Sequence, residues 1–144
     1  CREMGELFLD TVRTVNRRDY TEEETKAWAP GLPDLERWNR SFLDHYTLVA
    51  WECGRIAGFG DIDRTGYLDR LYVGRDFQGR GIATAICGRL EEHFPVERVT
   101  VCASITARPF FEGRGYRVLQ AQKVLRRGVY LTNFVMEKRF GESG

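Results

Sequence analysis

The sequence predicts a mixed α/β fold of the α+β kind, built as one domain. Apolar residues recur with helical spacing at the start of the chain, and short β-type runs alternate with turns from residue 46 onward. A strand, a glycine-rich loop and a helix then follow one another between residues 67 and 94. With 144 residues, of which 42% are hydrophobic and 12% aromatic, the chain can bury one sizeable core.

Three helices are expected before the sheet. An apolar stripe marks the first helix, at Met4, Leu7, Phe8, Val12 and Val15. Thr21 and Glu24 form a capping-box pattern that begins a short second helix, which ends before Pro30, and a third helix is expected around residues 35–43. Because the chain opens inside a helix without an initiator methionine, we expect a segment such as a strand to precede it.

Short strands and tight turns follow the helices. Residues 46–52 and 56–62 form a hairpin around a turn at residues 53–55, and residues 67–73 form a third strand. Strict alternation along the third strand predicts two faces, with Leu71 and Val73 on one and Leu68, Arg70 and Tyr72 on the other.

The rest of the chain begins with a helix and ends with strands. Apolar residues recur every four positions from Ile82 to Phe94 and predict a helix that stops at Pro95. The pattern of residues 122–127 fits either a strand or a loop. Gly115 suits a left-handed turn at the end of the short helix before it. The other expected elements are a buried strand at 98–103, a short helix at 106–112, strands at 116–120 and 129–138, and a polar tail at 141–144.

Charge and hydropathy exclude several classes of protein. The 22 Lys and Arg residues are balanced by 21 Asp and Glu residues, which disfavours a nucleic-acid partner. The chain has no apolar run of about 18 residues and no secretion signal at its start, so we expect no membrane partner and a cytoplasmic location. Four widely spaced cysteines and two histidines predict reduced thiols, mostly in the core, and no metal site.

The glycine-rich loop at residues 74–81 carries the clearest chemical pattern. Backbone N–H groups of such a loop, continued by a helix N-terminus, suit phosphate oxygens. Gly79 and Gly81 keep the backbone accessible, and Arg75 and Arg80 add charge. An ordinary strand-to-helix turn explains the same glycines. The loop is neither a P-loop nor a dinucleotide fingerprint, because G-K-[ST] and G-x-G-x-x-G are absent.

Two motifs resemble those of the GCN5-related N-acetyltransferase (GNAT) superfamily, in its small bacterial-type single-domain form. Residues 68–83 are similar to its central motif, in which Q/R-x-x-G-x-G/A follows an L-x-V strand, with Gln78, Gly81 and Ala83 at the fixed positions. Residues 107–116 are similar to its A-x-x-x-[FY]-Y-E-x-x-G-[FY] helix and turn. With the flanking hairpins, the resemblance extends over residues 46–140.

The resemblance implies a mostly antiparallel twisted sheet flanked by helices. Its two central strands, here at 67–73 and 98–103, would run parallel but splay apart. Residues 1–140 would form one acyl-CoA N-acyltransferase domain that lacks the first strand of the family.

The resemblance also implies acetyl-CoA as co-substrate and no metal. The pyrophosphate would bind the amides of residues 78–83, and the pantetheine arm would pair with the third strand like an added strand. Ser104 either bonds the cofactor or caps a helix. The residues expected at the cofactor are Leu71, Tyr72, Val73, Gln78, Gly79, Arg80, Gly81, Ile82, Ala83, Thr84, Ser104 and Phe111.

The implied reaction is acetyl transfer from the thioester to a primary amine of a small molecule or peptide, by direct attack in a ternary complex. A backbone N–H near Val73 would stabilise the oxyanion by analogy with the family. Asp69 is the candidate general base, with Asp61, Asp63 and Glu52 as alternatives. Each of these carboxylates is equally typical of a solvated or salt-bridged strand residue.

The general acid is where the sequence departs from the family. Phe111 stands at the usual tyrosine position and cannot donate a proton. Tyr116, Tyr72, Tyr130 or water would have to replace that tyrosine, although Tyr116 is also the aromatic residue expected after the glycine turn. The alternative function is a non-catalytic or weakly catalytic acyl-CoA-binding sensor.

The acceptor pocket is expected between the N-terminal helices and the last β-ribbon. Glu22, Glu23 and Glu24 either attract a cationic amine or form a solvated first helical turn. Arg126 and Arg127 are explained as flanks of a β-turn. The oligomeric state, including a homodimer, stays open. The candidate lining residues are Trp28, Trp38, Tyr46, Trp51, Asn133 and Phe134.

Overall fold

A computed structural model of the chain describes residues 1–140, so the expected tail at 141–144 lies outside the described residues. Two short 3-10 helices, Asn16–Arg18 and Arg75–Phe77, join longer elements. The helices are α1 (Arg2–Thr14), α2 (Glu22–Trp28), α3 (Leu35–Asp44), α4 (Ile82–His93) and α5 (Arg108–Gly113). The strands are β1 (Tyr46–Glu52), β2 (Arg55–Ile62), β3 (Tyr67–Val73), β4 (Arg98–Ser104), β5 (Arg117–Arg126) and β6 (Val129–Arg139).

The six strands form one sheet in the order β1-β2-β3-β4-β6-β5. All neighbouring strands are antiparallel except β3 and β4, which are parallel. The parallel pair is joined only at Tyr67–Thr100 and Leu68–Val101. Beyond these residues the two strands have no pairing with each other, so they splay apart. This confirms the expected fold class.

Helices cover both faces of the sheet and bury separate apolar clusters. Met4, Phe8 and Val12 of α1 pack with Phe59 of β2, as the apolar stripe predicts. On the opposite face, α4 packs against β1, β2 and β3, and its Leu90 is fully buried with the strand residues. Among residues 1–140 no helix is long and apolar enough to cross a membrane.

Local sequence signals explain several boundaries. The Thr21 hydroxyl accepts the Glu24 N–H at 3.1 Å, and the Glu24 carboxylate accepts the Thr21 N–H at 2.8 Å, which confirms the capping box. The residues left open at 122–127 continue β5 as far as Arg126. The short fifth helix begins at Arg108, two residues later than expected, because Ser104 Oγ accepts the Ala107 N–H and turns the chain there.

Two expectations were wrong. Only Cys87 is buried among the four cysteines, whereas Cys1, Cys53 and Cys102 are exposed. Leu68 lies in the same cluster as Leu71, on the side of α4. The pairing steps from Asp61–Arg70 to Ile62–Leu68, so β3 carries one extra residue, Asp69. This β-bulge interrupts the two-residue alternation and moves Leu68 to the other face.

A buried carboxylate holds the three C-terminal strands together. Glu137 of β6 accepts hydrogen bonds from Arg98 of β4 at 2.9 Å and from Arg117 of β5 at 2.8 Å, and it lies 3.4 Å from Arg139. The hydrogen bond from Arg117, followed by that from Arg98, outweighs burial and holds the pKa of Glu137 below its ordinary value of 4.5. The ionised form is therefore favoured by folding.

We expect Glu137→Gln to lower stability at neutral pH and to lose most of this difference in acid. A lowered carboxyl pKa contributes stability above the unfolded-state value near 4.5, and the contribution disappears as the pH falls through the folded-state value. Urea unfolding midpoints of both proteins at pH 7 and pH 3 measure this. If the urea midpoint of the variant lay below that of wild type by the same amount at pH 7 and at pH 3, the ion-pair role of Glu137 would be contradicted.

Candidate functional site

The splay between β3 and β4 opens into a cleft of about 780 Å³. The helical layer and the loop between α2 and α3 form one wall, and the β5–β6 hairpin forms the opposite wall. Asp69, Arg70 and Tyr72 of β3 and Cys102 and Ser104 of β4 line the floor, where the two strands diverge. A molecule in the gap between β3 and β4 would therefore reach this cleft with one end.

A buried ion pair forms part of the floor. Both Asp61 oxygens accept from Arg70, at 3.0 and 2.8 Å, and one also lies 2.8 Å from His45 Nδ1. Arg70 stacks on the Phe42 ring at 4.2 Å and donates to the Ser41 hydroxyl. Burial raises the pKa of Asp61, against the opposing effects of Arg70 and His45. The network fixes β2, β3 and α3 beneath the cleft.

Asp69 is the exposed member of a three-residue acidic and histidine cluster. His45, Asp61 and Asp69 hold possible ligand atoms within 4.8 Å of one another. The Arg70 guanidinium donates to both carboxylates, at 2.8 Å to Asp61 and 3.3 Å to Asp69. A positive charge is thus already in place, and the cluster behaves as an ion-pair network. Asp69 occupies the bulge of β3, which turns its carboxylate into the cleft.

The other candidate bases lie elsewhere or are already bonded. Asp63 accepts the N–H groups of Thr65 and Tyr67 in the β2–β3 turn. Burial alone would raise the pKa of Asp63, but the hydrogen bond from the Thr65 hydroxyl, together with those from the two N–H groups, outweighs burial and lowers the pKa. Glu52 pairs with Arg80 at 3.2 Å, outside the cleft. Of the candidate carboxylates, only Asp69 lines the cleft.

The glycine loop has the geometry expected of an anion cradle. Gly79 and Gly81 have φ values of +74° and +78°, and a Cβ atom at either position would meet nothing within 4 Å. Gly81 is the N-cap of α4, and no side chain among residues 1–140 caps that helix. The Gln78 amide donates to the Val73 carbonyl at 2.6 Å and fixes the loop to the end of β3. The first N–H groups of α4, at Ile82, Ala83 and Thr84, therefore have neither an intrahelical partner nor a capping side chain within residues 1–140.

The backbone of β3 is free on one side next to this loop. Leu71, Tyr72 and Val73 pair with β2 but, beyond Leu68, not with β4. Ser104 ends β4, lines the cleft, and uses its hydroxyl oxygen to accept the Ala107 N–H at 3.0 Å. This bond holds the turn that precedes α5, whose N-cap is Ala107 and which has no side-chain cap among residues 1–140.

The aromatic candidates are divided between the core and the cleft. Phe111 and Tyr116 are 2% and 4% exposed and pack edge-to-face in the core on the α4 side. The Tyr116 hydroxyl donates to Glu91 at 2.6 Å, and burial, together with the neighbouring thiol and carboxylate, raises its pKa. Tyr130 is exposed and lies outside the cleft lining. Tyr72 is the one candidate acid in the lining, and burial raises its pKa as well.

Three of the six predicted acceptor-pocket residues line the cleft, namely Trp28, Trp38 and Asn133. Tyr46 stacks on His93, at 3.5 Å between centroids, and the Phe134 ring packs beneath Arg108, so neither is in the lining. Trp51 is 60% exposed on β1 and also lies outside it. The glutamates of α2 serve the helix instead, since Glu24 completes the capping box and Glu22 pairs with Lys26 at 3.1 Å.

Other lining residues carried no signal in the sequence. The Tyr20 hydroxyl donates to the Thr132 carbonyl at 2.6 Å and accepts the Ile105 N–H at 2.9 Å, which ties β6 to the end of β4. Arg37 enters the lining from the first turn of α3. Asn133 Oδ1 is buried in the lining and has no hydrogen-bond partner within residues 1–140. These residues are brought together only by tertiary structure.

Known proteins share this sequence pattern and geometry. Residues 16–138 match the family model described as "Acetyltransferase (GNAT) domain". The chain is 34% identical, over 131 residues, to the uncharacterized N-acetyltransferase YafP of Escherichia coli strain K12, covering 90% of this chain and 83% of that protein.

Two crystal structures are similar in fold. One is a GCN5-related N-acetyltransferase, named Aminotransferase, Class-II, from Rhodopseudomonas palustris, with a TM-score of 0.90 and 30% identity, covering 95% of this chain and 88% of that one. The other is a GNAT superfamily phosphinothricin acetyltransferase from Sinorhizobium meliloti in complex with acetyl-CoA, with a TM-score of 0.72 and 15% identity, covering 97% and 83%.

Proposed function

Because the chain belongs to the GNAT acetyltransferase family, we propose that it transfers the acetyl group of acetyl-CoA to a primary amine by direct attack in a ternary complex. The observation that carries the proposal is the continuity of three features: an open glycine cradle, a β3 edge without a strand partner, and a cleft where that edge ends. They would hold the pyrophosphate, the pantetheine arm and the amine in that order.

The cofactor is assigned to the side of the sheet that carries α4. The free N–H groups at the start of α4 suit the pyrophosphate, and the side chain of Arg80, which pairs with Glu52 at 3.2 Å, belongs to the same loop. The pantetheine amides would pair with the free backbone groups of Leu71 and Val73 as an added strand. The thioester would then lie at the splay, with the Val73 N–H as donor to the developing oxyanion.

The amine is assigned to the cleft on the other side of the splay. Asp69 is the proposed general base, because its carboxylate is accessible in the lining and the bulge aims it there. Tyr72 is the proposed proton donor to the leaving thiolate. Burial raises its pKa, so its hydroxyl keeps its proton over the neutral pH range. Tyr116 is assigned a structural role, since its hydroxyl is bound to Glu91 in the core.

A sensor that binds acyl-CoA without turnover is the second candidate. Phe111 favours it, because this side chain replaces the usual tyrosine and is buried in the core. The two functions differ in a simple measurement. An enzyme releases CoA steadily only when an amine is added, whereas a sensor binds acetyl-CoA and releases no CoA with any amine.

Calorimetric titration with acetyl-CoA, ADP and pantetheine tests the cofactor assignment directly. We expect acetyl-CoA to bind roughly 100-fold or more tightly than either fragment, because one ligand engages both the cradle and the β3 edge. If acetyl-CoA bound no more tightly than ADP, the proposed pairing of the pantetheine arm with β3 would be wrong. No binding of any of the three ligands would contradict the proposed function.

A further inference from the structure

The cleft carries more positive charge than the chain as a whole. Its lining includes four arginines, Arg37, Arg70, Arg126 and Arg127, against two aspartates, Asp34 and Asp69. The formal charge of the whole chain is only +1. A cationic cleft is unfavourable for an acceptor whose only charged group is an ammonium, because like charges repel at short range.

Both aspartates of the cleft are already engaged. Asp34 caps α3, where its Oδ1 accepts the Arg37 N–H at 3.2 Å. Asp69 lies 3.3 Å from Arg70, which also pairs with the fully buried Asp61. The guanidinium of Arg70 is thus neutralised within the floor. The three other guanidiniums pair with no carboxylate in the described part of the chain.

The hairpin tip carries two of these arginines and holds one of them, Arg127, at a conformational cost. Arg127 and Gly128 form the β5–β6 turn with φ values of +48° and +78°. Asn, Asp or Gly is the usual residue at the first of these positions, because other L side chains are strained there. The Arg127 guanidinium nevertheless extends from the hairpin to α2 and donates to the Ala27 carbonyl at 2.8 Å. Strained residues that are held in this way occur often at ligand sites.

A second, independent feature lies at the opposite end of the same wall. Asn133 Oδ1 is a buried acceptor without a partner among residues 1–140. Asn133 pairs with Ser104 at the end of β4, next to the splay where the thioester is proposed to lie. An acceptor atom at this position suits an amine N–H. The wall therefore offers an amine site at one end and guanidiniums at the other.

We infer that the acceptor is an amine that also carries an anionic group, a carboxylate or a phosphate, bound by Arg37, Arg126 and Arg127. This inference rests on the proposed acetyl transfer. Asn133 lies four positions along β6 from Val129, which pairs with Arg126. At about 3.3 Å per residue, Asn133 lies about 13 Å along the strand from the backbone position of Arg126. Because arginine side chains are long and flexible, the distance from Asn133 to the guanidiniums is shorter. The amine and the anion are thus several bonds apart in the substrate.

The test compares hexylamine, 6-aminohexanoate and 6-aminohexyl phosphate as acceptors at saturating acetyl-CoA. We expect kcat/KM to favour at least one of the anionic amines over hexylamine by about ten- to a hundred-fold, as charge-assisted hydrogen bonds would give. The double variant Arg37→Gln/Arg126→Gln should remove most of this preference, and so should Arg127→Gln, while Arg127→Lys should retain part of it. Arg89→Gln, on the exposed face of α4, is the matched control and should retain it fully. The preferred anion distinguishes carboxylate from phosphate.

A binding measurement separates this inference from the proposed function. Hexanoate and hexyl phosphate lack an amine, so their calorimetric affinity does not depend on acetyl transfer. If the arginine variants lose this binding and Arg89→Gln keeps it, the anionic site is supported whether or not acetyl transfer occurs. If the anions bind in this way but no amine is acetylated, only the proposed function fails. Equal use of all three amines, with no anion binding, overturns the inference while acetyl transfer stands.

Discussion

Gly81→Glu should weaken acetyl-CoA binding by at least about 100-fold and leave the protein folded. The residue is the N-cap of α4, and the space around its Cβ position is empty, so the new carboxylate would stand where the pyrophosphate is proposed to bind. Repulsion between the two anions, together with the loss of space in the cradle, opposes binding. Calorimetric titration with acetyl-CoA measures the loss.

The matched control for this variant is Gly81→Ala. The φ of +78° strains any L side chain, which costs about 1–2 kcal/mol in both variants. The alanine adds no charge and little bulk, so its affinity for acetyl-CoA should remain within a few-fold of wild type. Thermal unfolding should show similar midpoints for the two variants. If Gly81→Glu bound acetyl-CoA as well as Gly81→Ala does, the glycine loop would be only a turn.

Local sequence signals determined most of the fold. The strand at Tyr67–Val73, the start of α4 at Ile82 and the capping box at Thr21 agree with the structure, because each depends on contacts within a few residues. The bulge at Asp69 could not be predicted, since an extra residue in one strand becomes visible only against its partner strand. That single residue reversed the predicted face of Leu68 and turned a carboxylate into the cleft.

The geometry of the proposed cofactor segment was predictable, and that of the proposed acceptor cleft was much less so. The glycine loop and the β3 edge form one continuous segment, so the spacing of their residues carries information about their geometry. The proposed acceptor cleft combines α1, α2 and α3 with residues of four strands, β3, β4, β5 and β6, so Arg37 and Arg127 come to line the same cleft only after folding. The sequence predicts Arg126 and Arg127 as flanks of a turn, whereas Arg126 ends β5, Arg127 lies within the turn, and both side chains line the cleft.

The polar side chains on the two faces of the sheet differ in their access to the cleft. On the α4 side, Glu91 accepts from Tyr116 at 2.6 Å and also pairs with Arg114. These groups are closed off within the core, where burial raises the pKa of the nearby Cys87 thiol to about 12. On the other face, Asp69 and Tyr72 line a cavity that a substrate can enter. A tyrosine near the family motif, such as Tyr116, is therefore not equivalent to a tyrosine that lines the cleft, such as Tyr72.

Tyr72→Phe should lower kcat by about 100-fold, while the affinity for acetyl-CoA stays within about twofold of wild type. The phenylalanine keeps the edge-to-face contact with Phe8, at 5.1 Å between centroids, but removes the only proton that this side chain can donate. Asp69→Asn should act in the same way, because it removes the proposed base and keeps the side-chain shape. Steady-state kinetics with a saturating amine and calorimetry with acetyl-CoA separate kcat from binding.

Tyr116→Phe is the matched control, and we expect it to lower the stability of the protein and leave kcat unchanged. It leaves Glu91 with one hydrogen bond fewer in the core, which should destabilise the protein by about 1–3 kcal/mol and lower the melting temperature by roughly 3–10 °C. Its kcat at a temperature where the variant is folded should match that of wild type. If kcat falls in Tyr116→Phe and not in Tyr72→Phe, the proton donor lies on the α4 side of the sheet, and the cleft floor only positions the amine.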